Sequence, residues 1–132
     1  MAGLEVHLVT PEREVWAGEA DFVTARGVDG DLGVLPGHAP LLAALAVGPV
    51  FIDAGGSRTA VVVDGGFLHV AHDDDITRVD ILAEHALLSD ELGEDSAESR
   101  EQRADELRSE DRLDEAREEE AKAAVRRQVA ES

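Results

Sequence analysis

The turn-forming and aromatic residues of this chain are confined to one part of it. All four prolines, all three phenylalanines and the one tryptophan lie before residue 68, and Gly93 is the one of twelve glycines beyond residue 66. Turn formers and β-formers gathered together and then abruptly missing describe two segments that cannot share one architecture. The break falls near Leu82–Asp90. Residues 1–83 hold 13 acidic and 4 basic residues, and residues 84–132 hold 17 and 8, so each part is net −9 and the whole chain of 132 residues net −18.

The first part reads as strands. Leu4, Val6 and Leu8 alternate with Glu5 and His7, a period of two. Further strand-like runs are Ala20–Arg26, Val50–Asp53, Thr59–Val63, Phe67–Ala71 and Ile76–Leu82. Turn chemistry separates them at Val28-Asp29-Gly30, Ala54-Gly55-Gly56-Ser57, Asp64-Gly65-Gly66 and His72-Asp73-Asp74-Asp75. Strands at such spacing with no helix between them predict a sandwich or barrel. Pro36, Pro40 and Pro49 are expected at edges or in loops, because proline donates nothing to a central ladder.

The second part reads as helix. Asp95-x-x-Glu98 suits the opening of a first helix to about Leu107, and Ser109 the cap of a second, from about Glu110 to Val129. Acids early (Glu110, Asp111, Asp114, Glu115) and bases late (Lys122, Arg126, Arg127) suit the helix dipole. The apolar stripe is thin: Ala97, Ala104 and Leu107 on the first helix, Leu113, Ala116, Ala124, Val125 and Val129 on the second. Helices this sparse are stable only when docked. The fold class is therefore an all-β N-terminal sandwich followed by an α-helical hairpin, α+β overall in two domains, with residues 1–86 as the sandwich and 87–132 as the hairpin.

The charge argues against nucleic acid and against an anionic membrane surface, both of which would repel the chain. Without cysteine there is no disulfide, thiolate zinc site or cysteine nucleophile. No apolar run approaches the roughly 20 residues that span a bilayer, and Met1–Leu8 lacks the features of a signal peptide. A cytoplasmic protein without direct membrane insertion is the expectation. No residues assemble a nucleophile, a base and an orienting group. Gly27, Gly30 and Gly33 lead into Leu35-Pro36-Gly37 rather than a helix and read as turns. The expectation is a protein that is not an enzyme, with no cofactor, nucleotide site or metal site. The alternatives are a small metal-binding module using His69 and His72, short of the three converging ligands of the usual catalytic zinc site, and an acidic interaction protein whose tail mimics nucleic acid.

Two blocks carry a likeness to a known family. One is Gly30-Asp31-Leu32-Gly33-Val34-Leu35-Pro36-Gly37-His38-Ala39-Pro40-Leu41-Leu42, with Leu45 and Gly48 after it. The other is Asp64-Gly65-Gly66-Phe67-Leu68-His69-Val70 with Ile76–Glu84. Together with Leu4–Trp16 they resemble the epsilon subunit of F-type ATP synthase, over about residues 3–86. The resemblance implies a β-sandwich at the foot of a rotating central stalk, touching the gamma subunit and the c-subunit ring, and a hairpin that regulates ATP hydrolysis through transient contact with the alpha and beta catalytic subunits. Location on the inner face of the cell membrane, as part of the complex, follows from it. The contacts expected for gamma and the ring are Asp31 to Leu42, with Asp31 against a polar loop of the ring and His38 at gamma. Lys122, Arg126 and Arg127 are the expected inhibitory contact. Some bacterial members bind ATP through Ile/Leu-Asp-x-x-Arg-Ala at the start of the hairpin. At that place this chain has Leu92-Gly93-Glu94-Asp95-Ser96-Ala97, without the aspartate and arginine. A displaced match, Leu113-Asp114-Glu115-Ala116-Arg117, ends in Glu118 instead of alanine.

Overall fold

The computed structural model describes residues 3–91, 101, 102, 104 and 113–130. Eight strands come first: β1 (Leu4–Val9), β2 (Glu14–Ala20), β3 (Phe22–Gly27), β4 (Gly30–Val34), β5 (Leu41–Ala54), β6 (Ser57–Asp73), β7 (Ile76–Ala83) and β8 (Ala86–Leu88). A 3₁₀ turn, Ser89–Glu91, follows, and then helix α1 (Leu113–Ala130).

One hydrogen-bonded sheet, in the order β2-β1-β7-β6-β5-β3-β4 with β8 also on β6, folds over on itself. The two long strands make this possible. β6 pairs with β5 along most of its length, but its other side meets β7 over Gly66–Asp73 and β8 over Val61–Val63. One layer is therefore β2-β1-β7 with the C-terminal part of β6 and the start of β5. The other is β4-β3 with the end of β5, the start of β6 and β8. β1 and β7 run parallel, Leu4 opposite Thr77 through Val9 opposite Leu82; the other pairings are antiparallel.

Period-two alternation supplies the inner faces. Leu4, Val6, Leu8, Leu68, Val70, Val79 and Ile81 come from one layer and Val23, Val34, Val50, Ile52, Val61 and Val63 from the other, all in one buried cluster. Full burial of such side chains stabilises by about 1.5–3 kcal/mol each, and this interior holds the layers together.

Asp64-Gly65-Gly66, expected as a turn between two strands, is a bend inside β6. Gly65 and Gly66 have φ of 107° and 140°, which lets the strand swing from one layer to the other without losing its partners. A Cβ on Gly66 would lie 2.1 Å from the Leu82 carbonyl oxygen. The corner is stitched by Asp64 N–H donating to His85 O at 3.0 Å and Glu84 N–H donating to Gly65 O at 3.1 Å. Pro49, expected at an edge or in a loop, lies within β5 opposite Val62. It is tolerated because the β3–β5 register shifts between Thr24 and Gly27, freeing that stretch of β5 from ladder donation on its second side. β2 and β4 were not among the expected strands. The two-glycine turn is as expected: Ala54 pairs with Ser57, and Gly55 and Gly56 take φ of 59° and 83°, the mirror-image turn that suits a two-residue hairpin.

α1 lies on the outside of the second layer. Val125 and Val129 pack on Ala60 and Val62, flanked by Val47, Phe51 and Leu87. Among the described side chains the buried face departs from the expected stripe: Ala123 is buried and Ala124 exposed, and Glu119 and Arg126 are buried as well. Glu101, Gln102 and Ala104 are helical, and Ala104 packs against Ala116. The rest of the first expected helix and the Leu92–Ala97 motif position lie outside the described residues.

Candidate functional site

The Asp31–Leu42 block is the end of β4, a tight loop and the start of β5. Val34 is fully buried and anchors it. His38 N–H donates to Leu35 O at 3.0 Å, closing the turn. Gly37, with φ of 88°, is where that turn needs glycine. Its N–H donates to the Thr77 hydroxyl at 2.7 Å, and Thr77 is itself buried. His72 Nε2 lies 2.6 Å from His38 O, and His38 Nδ1 lies 2.7 Å from Ala39 O; each nitrogen donates to its carbonyl. The β6–β7 hairpin thus holds the loop from beneath. Asp31, Gly33, Pro36, Gly37, Ala39 and Pro40 are exposed, and Leu32, His38 and Leu41 are half-buried. Leu35 and Leu42 are 58% and 68% exposed. Two large apolar side chains pushed into solvent by a rigidly pinned loop resemble a contact surface more than a core.

Leu42 leads onto the outer face of the first layer. There the cross-strand partners Phe67 and Leu82 are 53% and 54% exposed, with Val9 beyond Leu82 and Ala44 beyond Phe67. Val9, Thr10, Pro11, Phe67, Leu82 and Glu84 line a cleft of about 350 Å³ there. In the next row His7, Asp80 and His69 lie opposite one another and end at Leu42. Sequence reasoning did not single out Val9, Phe67 and Leu82. A signal was present: in Ile76–Leu82 the polar phase is Arg78 and Asp80, yet Leu82 shares that phase.

Each arginine of the sandwich has a carboxylate nearby. Arg13 reaches Glu91 at 2.6 Å, Arg58 reaches Asp53 at 2.8 Å, Arg78 reaches Asp80 at 3.0 Å and Arg26 approaches Asp31 at 4.0 Å. Arg13 and the Leu88 N–H hold the Glu91 carboxyl below its ordinary range. The His7 imidazole is held above its ordinary value chiefly by its hydrogen bond to Glu5, with Glu14 adding to that against partial desolvation.

The second predicted set, Lys122, Arg126 and Arg127, is divided by α1. Lys122 pairs with Glu118 at 3.4 Å, and Arg127 pairs with Glu101. Arg126 is turned into the protein and is completely buried. Its Nη2 and Nη1 donate to Asp64 Oδ2 and Oδ1 at 2.9 and 3.0 Å, and Nη1 also donates to Lys122 O at 3.2 Å. The three do not form one exposed cationic cluster in this conformation, because the Asp64 carboxylate at the β6 bend draws Arg126 inward.

His69 and His72 sit three residues apart on β6, so their side chains leave opposite faces of the strand. Among the described residues no group of three or more histidine, aspartate and glutamate side chains is placed to hold a metal ion.

Residues 3–89 match the family described as ATP synthase, Delta/Epsilon chain, beta-sandwich domain. An ATP synthase epsilon chain of Frankia casuarinae is 53% identical over 87 residues, 65% of this chain and 98% of that one. Another, of Corynebacterium diphtheriae, is 40% identical over 131 residues, 98% of each chain. A chain in the cryo-EM structure of the Euglena gracilis mitochondrial ATP synthase shares the fold, with a TM-score of 0.78 at 23% identity over 95% of this chain and 79% of that chain. With the sandwich matched nearly end to end and one relative aligned along almost the whole length, this chain belongs to the ATP synthase epsilon chain family.

Proposed function

We infer that this chain is a non-catalytic central-stalk subunit of an F-type ATP synthase. In this reading the sandwich, residues 1–86, binds the gamma subunit and the c-subunit ring and takes part in coupling proton flow to ATP synthesis. Residues 87–132 regulate ATP hydrolysis through transient contact with the alpha and beta catalytic subunits, with Lys122, Arg126 and Arg127 as the contact once Arg126 has left Asp64. The subunit is peripheral, on the cytoplasmic face of the cell membrane. Among the described residues no helix is long and apolar enough to cross a membrane.

The observation that carries this reading is the unequal cover of the two outer faces. α1 covers one, while the other, with the Asp31–Leu42 loop at its margin, exposes Leu35, Leu42, Phe67 and Leu82. A mechanical joint needs such an apolar surface on a stiff support, and the two-layer core supplies the stiffness.

Reassembly of the full chain with gamma and the c ring tests it. Leu35→Asp combined with Leu42→Asp should leave the fold intact, because both side chains are exposed. It should weaken assembly by roughly 100-fold, the scale of losing two central apolar anchors. Unchanged assembly and coupled ATP synthesis in the double variant would remove the loop from the interface.

A further inference from the structure

Arg126 is the largest fully buried side chain among the described residues, and it belongs to a helix whose apolar contact with the sandwich is slight. Two valines on two small strand residues, with partial cover from Val47, Phe51 and Leu87, make up that contact. Between helix and bend lies a two-pronged ion pair whose members are 0% and 5% exposed. Its carboxylate partner is not on a mobile side loop. Asp64 is the first residue of the Asp64-Gly65-Gly66 bend, its own N–H bonded to His85 O, so the acceptor is fixed where β6 changes layer.

We propose that Asp64 and Arg126 form a charge-gated latch that decides whether α1 is docked on the sandwich. The physics is asymmetric. With both charges present and paired, their desolvation is offset and the thin apolar contact is sufficient to hold the helix. Removing Arg126 strands the Asp64 carboxylate in a buried site, which is far worse than removing both charges, and removing the Asp64 charge takes from Arg126 its two-pronged acceptor. The stranded group regains water only if the helix leaves. Because both groups are solvated once apart, release exposes no orphaned charge, and any acidic group that takes Arg126 in place of Asp64 stabilises the released helix. The latch goes beyond the stalk reading. It is a property of the isolated chain and is tested without gamma, the ring or the catalytic subunits.

Amide hydrogen exchange of the full chain reads the docking directly, because an undocked helix this poor in apolar contacts loses its protection. Asp64→Asn and Arg126→Met should each speed exchange in Leu113–Ala130 by roughly tenfold or more while β1 and β7 stay unchanged, and the double variant should return the helix to within about threefold of the parent. Single variants that leave α1 exchange unchanged would overturn the latch. A double variant no slower than Arg126→Met, with β1 and β7 still protected, would overturn it as well. Should Asp64→Asn also loosen β1 and β7, Arg126→Met decides alone, since it leaves every residue of the sandwich in place: faster α1 exchange supports the latch and unchanged exchange ends it.

Discussion

Gly66 shows how much of this fold hangs on one residue. At φ of 140° and with the Leu82 carbonyl oxygen 2.1 Å from where a Cβ would stand, it has neither the conformation nor the room for a side chain. Gly55 is a fair comparison: its φ is 59°, but nothing lies within 4 Å of its missing Cβ. Gly55→Ala should therefore cost only the left-handed backbone penalty, about 1–2 kcal/mol. Gly66→Ala adds overpacking of about 1–3 kcal/mol and forces the β6–β7 ladder apart at the corner. For a domain of this size the difference corresponds to a melting temperature lower by roughly 4–20 °C in Gly66→Ala than in Gly55→Ala. Thermal unfolding of the two variants checks this. Equal midpoints would mean that the bend relaxes without cost.

At the scale of elements, the alternating runs Leu4–Leu8 and Ile76–Leu82 told their faces from sequence because each covers one buried layer. The long strands hid. Asp64-Gly65-Gly66 has the residue types of a turn, and nothing local separates a turn from a bend that keeps its ladder partners. The helix-covered face was visible in principle, since Ala60-Val61-Val62-Val63 is an unbroken apolar run rather than an alternating one, a sign of cover on both sides, and all four are buried. The Asp64–Arg126 pair was not legible, because it joins residues 62 positions apart through the docking of a helix with a thin stripe. The loop proposed as a contact stands out in the sequence as a block, yet the exposed apolar surface that continues from it through Phe67 and Leu82 depended on knowing which strands are neighbours. The same view of the elements sets where the chain is divisible. Glu91 pairs with Arg13 and accepts from Leu88 N–H at 2.9 Å, so a cut after Glu91 keeps that closure whereas a cut after Leu88 loses it. A chain ending at Glu91 should stay folded and cooperative, with Val47, Phe51, Val62 and Leu87 newly wet, and should still assemble with gamma. Loss of the cooperative transition on melting would show that α1 is part of the sandwich core rather than a cover on it.

The molecule as a whole is an anion that has neutralised most of the cations it shows. The chain is net −18. Arg13, Arg26, Arg58 and Arg78 each have a carboxylate within 4.0 Å, Lys122 and Arg127 are paired on the helix side, and Arg126 is buried on Asp64. A nucleotide triphosphate needs cations or free backbone donors to offset its charge. The displaced match at Leu113–Arg117 offers the exposed Arg117, but it is followed in α1 by Glu118, Glu119 and Glu120, and Ala116 within it is used against Ala104. Magnesium reduces the repulsion without removing it. Titration calorimetry of the full chain with magnesium-ATP should therefore find a dissociation constant weaker than about 1 mM, a binding free energy below about 4 kcal/mol in magnitude. Micromolar affinity would contradict this, and its loss in Arg117→Ala would then place the site on the first turns of α1. Micromolar affinity that survives Arg117→Ala and vanishes in Arg126→Met would instead mean that the nucleotide draws Arg126 away from Asp64, which would make the ligand itself the key to the latch.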